Sequence, residues 1–96
     1  MKTIDDQIYE ILLEIEEAYG LSNIEILGDR RYALFAQARQ ELYARMRRDL
    51  GMSWLHIADK LHKNHATILY GARKALARGL LTDRKKTSDN IISLSP

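Results

Sequence analysis

Apolar residues recur every three or four positions along most of the chain, and this spacing predicts α-helices. The first stripe consists of Ile8, Ile11, Leu12, Ile15 and Tyr19. Thr3 followed by Asp6 resembles a capping pair at the start of this helix, with Asp in place of the usual Glu or Gln, and Gly20 suits its end. The pattern therefore predicts one amphipathic helix at the N-terminus.

A short helix and a long one are predicted next. Ser22 with Glu25 forms a second capping box ahead of an apolar pair, which indicates a helix of about one to two turns. We expect Asp29 to cap a long helix from Arg30 to about Asp49 that Gly51 closes. Its apolar stripe is Leu34 or Phe35, Ala38, Leu42, Met46 and Leu50, and its other faces carry Arg39, Arg45, Arg47 and Arg48.

The stretch from Ser53 to Arg78 has the pattern of a helix-turn-helix. Ser53 suits the cap of the first helix, whose stripe is Trp54, Ile57, Ala58 and Leu61. Residues 62–64 are polar and too few for anything but a turn, and Asn64 tolerates the left-handed backbone of sharp turns. The stripe of the second helix is Ile68, Leu69, Ala72, Ala75 and Leu76, ending at Gly79.

The start of this second helix contains the candidate base-contacting residues. Its first turn is expected to present four side chains outward, where a recognition helix meets base edges: Asn64, His65, Ala66 and Thr67. Beyond Gly79 the periodicity is lost, and we interpret residues 82–96 as a flexible tail. The predicted fold is all-α, with five helices in one domain over residues 1–81 and the helix-turn-helix at 53–79.

Charge is strongly segregated along the chain, although the net charge of its 96 residues is only +2. Residues 1–29 contain one Lys against eight acidic residues, a net charge of −7. Residues 30–86 contain fourteen Lys and Arg against four acidic residues, a net charge of +10. This distribution favours a polyanion-binding surface in the C-terminal two-thirds and an acidic face elsewhere.

Other classes of protein have little support in the composition. The chain has no Cys, so disulfides and Cys-ligated zinc are excluded, and no signal peptide or membrane segment is recognisable. A cytoplasmic, nucleoid-associated location is therefore expected. His56, His62 and His65 lack the Cys or carboxylate partner of a metal site. No nucleophile has a base partner, so we expect neither enzyme activity nor a cofactor.

Three segments, AYGLSNIEILG, DRRYALFAQARQ and KNHATILYGARKA, resemble in order the C-terminal DNA-binding domain of the bacterial replication initiator DnaA. The resemblance covers about three-fifths of the chain and implies a helix-turn-helix of the kind also found in the Trp repressor. No P-loop is present, so the initiator's ATPase activity is not expected. The start Met and the tail favour a free-standing DNA-binding protein over a fragment.

The resemblance implies a role for each matching position. Lys63 falls where the family has Arg, Asn64 where it has Asp, His65 and Thr67 match, and Ala66 replaces a Thr. Base contacts are therefore implied for Asn64, His65 and Thr67, with an altered target because Asn pairs with adenine whereas Asp accepts from cytosine. A phosphate contact is implied for Lys63. Backbone or minor-groove contacts are implied for Arg30, Arg31 and Arg39, and for Gln37 or Ala38 depending on the alignment register.

Several side chains have a second interpretation. Arg73 and Lys74 are further candidates for phosphate contact, whereas Arg45, Arg47 and Arg48 suit a solvated face equally well. Trp54 and Tyr70 are expected to pack structurally, since duplex DNA exposes no base faces. The resemblance implies a monomer, although Leu80, Leu81 and the tail offer apolar surface for a dimer.

We therefore expect a sequence-specific, double-stranded-DNA-binding regulator of replication or transcription from a bacterium or phage. The recognition helix would lie in the major groove, and the basic loop would lie on the backbone or in the minor groove. The main alternative is a protein–protein interaction module in which the acidic first helix binds a basic partner. A DNA-packaging recognition subunit is a narrower variant of the DNA-binding hypothesis.

Overall fold

Five helices and their connections form the described part of the protein, which is residues 1–79 of a computed structural model. The helices are α1 (Ile4–Tyr19), α2 (Asn23–Leu27), α3 (Ala33–Leu50), α4 (Trp54–Leu61) and α5 (His65–Arg78), and no strand occurs within this range. The predicted all-α class with five helices is confirmed. The predicted tail, with Leu80 and Leu81, lies outside the described residues.

Both predicted capping boxes are present. The Thr3 hydroxyl accepts from the Asp6 N–H at 3.1 Å, and the Asp6 carboxylate accepts from the Thr3 N–H at 3.2 Å. Ser22 and Glu25 exchange the equivalent bonds at the start of α2. Each box satisfies two N–H groups that a helix terminus leaves without partners, so the first two helices begin where the sequence predicts.

The beginning of α3 differs from the prediction. The helix starts at Ala33 rather than Arg30, and its N-cap is Tyr32, whose side chain makes no capping bond. Asp29 caps nothing here, because its carboxylate instead pairs with Lys63 across the fold. Residues 29–32 are therefore an irregular loop between α2 and α3, called here the basic loop for its Arg30 and Arg31.

The long helix α3 is the centre of the fold and packs against all four other helices. Its buried residues join apolar side chains of the other helices in one core, which includes Ile15, Ile26, Ala38, Leu42, Met46, Ile57, Ile68, Ala72 and Ala75. Leu76 was predicted to share this stripe but is 54% exposed. It lies about 100° further around α5 than Ala75, beyond the face that α3 covers.

Gly71 allows α5 to lie close to α3. A Cβ atom at this position would come within 2.8 Å of Cδ2 of the Tyr43 ring. Tyr43 is itself buried, so its ring cannot swing into solvent to make room. Gly71 therefore lets the Tyr43 ring of α3 lie directly against the backbone of α5.

Replacing Gly71 with valine is expected to lower the free energy of unfolding by about 1–3 kcal/mol, because the added carbons overlap a buried ring in a packed interface. Urea denaturation followed by circular dichroism measures the change. Ala77→Val, at an exposed position of α5, is the matched control for β-branching in the helix. Equal loss in the two variants would contradict the close approach.

An ionic network joins α1 to α3 on the other side of the long helix. The Arg45 guanidinium is 1% exposed and donates to Glu14 Oε1 at 2.6 Å and to Asp49 Oδ2 at 3.3 Å. Nearby, buried Glu41 accepts from the Tyr19 hydroxyl at 2.8 Å. Arg45 is thus neither on a solvated face nor available to phosphates, and the prediction that grouped it with Arg47 and Arg48 is wrong for this residue.

Burial and neighbouring charge act on the pKa values of this network. Burial, reinforced by the hydrogen bond to Glu41, raises the pKa of the Tyr19 hydroxyl above its usual value. Burial alone would also raise the pKa of the Asp49 carboxyl, but hydrogen bonds and charge from Arg48 and Arg45 outweigh it and lower that pKa. Asp49 therefore remains ionised as the partner of two arginines.

Candidate nucleic-acid interface

The first turn of α5 is exposed, as the sequence predicted. His65, Ala66 and Thr67 are all exposed, and Asn64 is the N-cap. The Oδ1 atom of Asn64 accepts from the Ala66 N–H at 2.7 Å. Bidentate pairing with adenine would use both Oδ1 and Nδ2, so it would compete with the cap. This role was not predicted, although Asn is among the preferred N-cap residues.

A three-residue connection, residues 62–64, joins α4 to α5. The left-handed residue in it is His62, with φ 56°, rather than Asn64. His62 ends α4, and the following Lys63 N–H donates to the Ala58 carbonyl at 2.9 Å, which closes the last turn of that helix. The connection is tight, and it fixes the direction in which α5 leaves α4.

Arg39 has a structural role that was not predicted from its sequence context. Its Nε donates to the Ile26 carbonyl at 2.9 Å, and its Nη2 donates to the Arg30 carbonyl at 3.1 Å and the Glu25 carbonyl at 3.4 Å. The last carbonyls of a short helix have no partners within the helix. Arg39 supplies those partners and at the same time holds the basic loop against α3.

The basic loop leaves its own arginines free for other contacts. Arg30 and Arg31 are both exposed and line a shallow surface depression together with Tyr32. Of the two residues that the resemblance offered for minor-groove contact, Ala38 is fully buried in the core, whereas Gln37 is half-buried. Only Gln37 therefore remains a candidate.

Lys63 connects the basic loop to the α4–α5 connection. Its Nζ lies 2.7 Å from Asp29 Oδ1, and its side chain is 18% exposed whereas that of Asp29 is 94% exposed. The hydrogen bond and the positive charge of Lys63 lower the pKa of the Asp29 carboxyl. The ion pair joins the basic loop to the connection that precedes the first turn of α5.

Further cations lie along α5. Arg73 and Lys74 are exposed, and Lys74 lines a groove of about 320 Å³ between α3 and α5 together with Thr67, Tyr70 and Tyr43. Burial raises the pKa of the Tyr43 hydroxyl to about 12. Tyr70 is 65% exposed, so the expectation that it packs in the core is wrong.

The aromatic ring of Trp54 behaves as expected. It packs against the core, and the Arg47 guanidinium carbon lies 5.2 Å from the ring centroid. The same guanidinium donates to the Met52 carbonyl at 3.1 Å. Arg47 therefore stabilises the segment between α3 and α4 by a cation–π contact and a hydrogen bond.

Residues 1–79 bring together no group of three His, Asp or Glu side chains able to hold a metal ion. None of their helices is long and apolar enough to cross a membrane. No protein-family model, no curated protein and no solved structure matches this chain.

Proposed function

We propose that this protein binds double-stranded DNA in a sequence-specific manner, with α4 and α5 as a helix-turn-helix and α5 as the recognition helix. The observation that carries this proposal is the exposed first turn of α5, His65 to Thr67, which the Lys63–Asp29 ion pair links to the basic loop with its exposed arginines. Base contact requires exposed donors and acceptors at a helix N-terminus, and cations beside them position the helix on phosphates.

The charge distribution supports the same orientation. The positive net charge of residues 30–86 contrasts with the negative charge of residues 1–29, which include α1. Both α1 and α5 pack on α3, and phosphates would approach the basic elements and be repelled by α1. Five cations are proposed to contact the backbone or minor groove: Arg30, Arg31, Lys63, Arg73 and Lys74.

Arg39 was also expected to clamp a phosphate. Its Nε and Nη2 are already occupied by carbonyl oxygens, so we now assign it the task of holding the basic loop in place. Base contacts are proposed for His65 and Thr67 and for the Ala66 methyl group against thymine. A further base contact is proposed for Asn64 Nδ2, which the capping bond does not use. The resemblance to DnaA favours a role in regulating replication or transcription, with a different target sequence.

The test is to separate base contacts from phosphate contacts. His65→Ala and Thr67→Ala are each expected to cost about 1–3 kcal/mol on a duplex selected by the wild-type protein from a random pool, with little change on a scrambled duplex. Arg31→Ala, the control, should weaken binding to both duplexes by similar factors. Full discrimination by folded His65→Ala and Thr67→Ala variants would mean that α5 is not the recognition helix.

A second candidate function is supported by the outer face of α1. Tyr9 and Leu13 are exposed there next to Glu10 and Glu17, a combination suited to a basic partner protein. Retention of the protein on immobilised duplex DNA at low salt separates the two candidates. Elution with the void volume would favour the interaction module, and retention without sequence preference would favour a packaging role.

A further inference from the structure

The ion pair between Lys63 and Asp29 occupies a cation that the proposed DNA contact needs. Lys63 immediately precedes the N-cap of α5, and its Nζ lies 2.7 Å from Asp29 Oδ1. Side-chain exposure differs sharply between the two partners, because Asp29 is almost fully exposed whereas most of the Lys63 side chain is covered. Asp29 thus holds the ammonium group at the protein surface from the solvent side.

A carboxylate in this position presents the same chemistry as a DNA phosphate. Both offer an anionic oxygen at hydrogen-bond distance from the ammonium group. The Asp29 carboxylate is almost fully exposed, so salt and competing anions reach its side of the pair. A phosphate placed next to Lys63 can therefore displace Asp29. The displacement needs the phosphate in the right position, which a fully seated recognition helix provides.

On the basis of the proposed DNA binding, we propose that Asp29 is a specificity-determining residue. Its ion pair keeps Lys63 from contacting the DNA backbone until α5 is bound to its preferred sequence. On other sequences the base contacts of α5 are not made, and Lys63 stays on Asp29. One phosphate contact is then lost from sequence-independent binding but kept in specific binding. The group that Lys63 contacts after leaving Asp29 is a phosphate of the DNA backbone beside the N-terminus of α5.

The test is Asp29→Asn, which keeps the size of the side chain and removes its charge. Asp29 caps no helix, so the variant is expected to fold like the wild type, with circular dichroism as the check. Affinity for a scrambled duplex should rise about five- to tenfold at 50 mM salt, and the slope of log affinity against log salt should steepen by about 0.9, because one phosphate contact is added. Affinity for the selected duplex should rise less, so the ratio of the two affinities falls.

Lys63→Gln and the double variant complete the experiment. Simple repulsion between Asp29 and DNA acts on both duplexes alike and cancels in the ratio of affinities. If Asp29 acts through Lys63, removing Asp29 in the Lys63→Gln background leaves that ratio unchanged. Asp59→Asn is a further control, because it removes an exposed carboxylate that lies on α4 and not in the basic loop. It should also leave the ratio of the two affinities unchanged.

Three results would overturn the inference while leaving the proposed function intact. The first is that Asp29→Asn leaves the ratio of selected to scrambled affinity unchanged. The second is that removing Asp29 lowers this ratio equally in the wild-type and Lys63→Gln backgrounds. The third is that Asp29→Asn binds both duplexes more weakly than the wild type. Failure of the wild-type protein to bind either duplex at low salt would instead refute the proposed function, and the inference with it.

Discussion

Replacing Arg45 with alanine is expected to lower the free energy of unfolding by about 2–5 kcal/mol, because the substitution removes a large buried side chain together with its ion pairs. The guanidinium is almost wholly buried and bridges Glu14 on α1 to Asp49 on α3. Its removal leaves a cavity between the two helices and takes a cation from both carboxylates. For a small domain this loss is a large fraction of total stability, and urea denaturation measures it.

Arg48→Ala is the matched control for this prediction. Arg48 also donates to Asp49, at 2.7 Å, but its side chain is substantially exposed. Exposed ion pairs contribute roughly 0–1 kcal/mol, so this variant should be nearly as stable as the wild type. A small loss in Arg45→Ala, similar to that in Arg48→Ala, would show that the buried position of Arg45 is of little energetic importance.

The affinity for duplex DNA is expected to fall roughly 150- to 500-fold between 50 and 200 mM salt. Four exposed cations are available for phosphates, and Lys63 becomes a fifth when Asp29 is displaced. Four to five neutralised phosphates give a slope of about −3.6 to −4.5 in log affinity against log salt. Fluorescence anisotropy titrations at several salt concentrations measure this slope directly.

Two charge variants locate the origin of the salt dependence. Arg31→Ala in the basic loop should make the slope shallower by about 0.9, whereas Lys2→Ala should not change it. Lys2 pairs with Glu10 on the acidic helix α1, at 2.6 Å. A wild-type slope shallower than about −1.5 would exclude the proposed set of phosphate contacts.

Local signals in the sequence predicted most of the helices. The capping boxes at Thr3 and Ser22, the cap at Ser53 and the left-handed glycines 20, 51 and 79 all lie where the sequence indicated. These signals act over three or four residues, so they can be recognised in the sequence without knowledge of the fold. Asp29 carries the same capping signal, but its carboxylate is engaged by Lys63, a partner 34 residues away that no local pattern reveals.

The roles of the arginines were harder to predict for the same reason. Arg39 binds carbonyl oxygens of α2 and the basic loop. Every residue has a carbonyl oxygen, so the sequence does not show which of them a distant arginine will bind. Arg45 is buried with Glu14 as a partner on α1, 31 residues away, and no local pattern reveals that pairing. Exposure of the first turn of α5 was easier to predict, because it follows directly from the apolar stripe of that helix.

The hold of Arg39 on the basic loop has a consequence for the evolution of binding preference. Arg39 contacts the main chain of residue 30 and not its side chain, and every amino acid has the same carbonyl oxygen. Substitutions at positions 30 and 31 can therefore change the groups presented to a partner while the loop keeps its path. A library randomised at these two positions would sample new preferences on an unchanged scaffold.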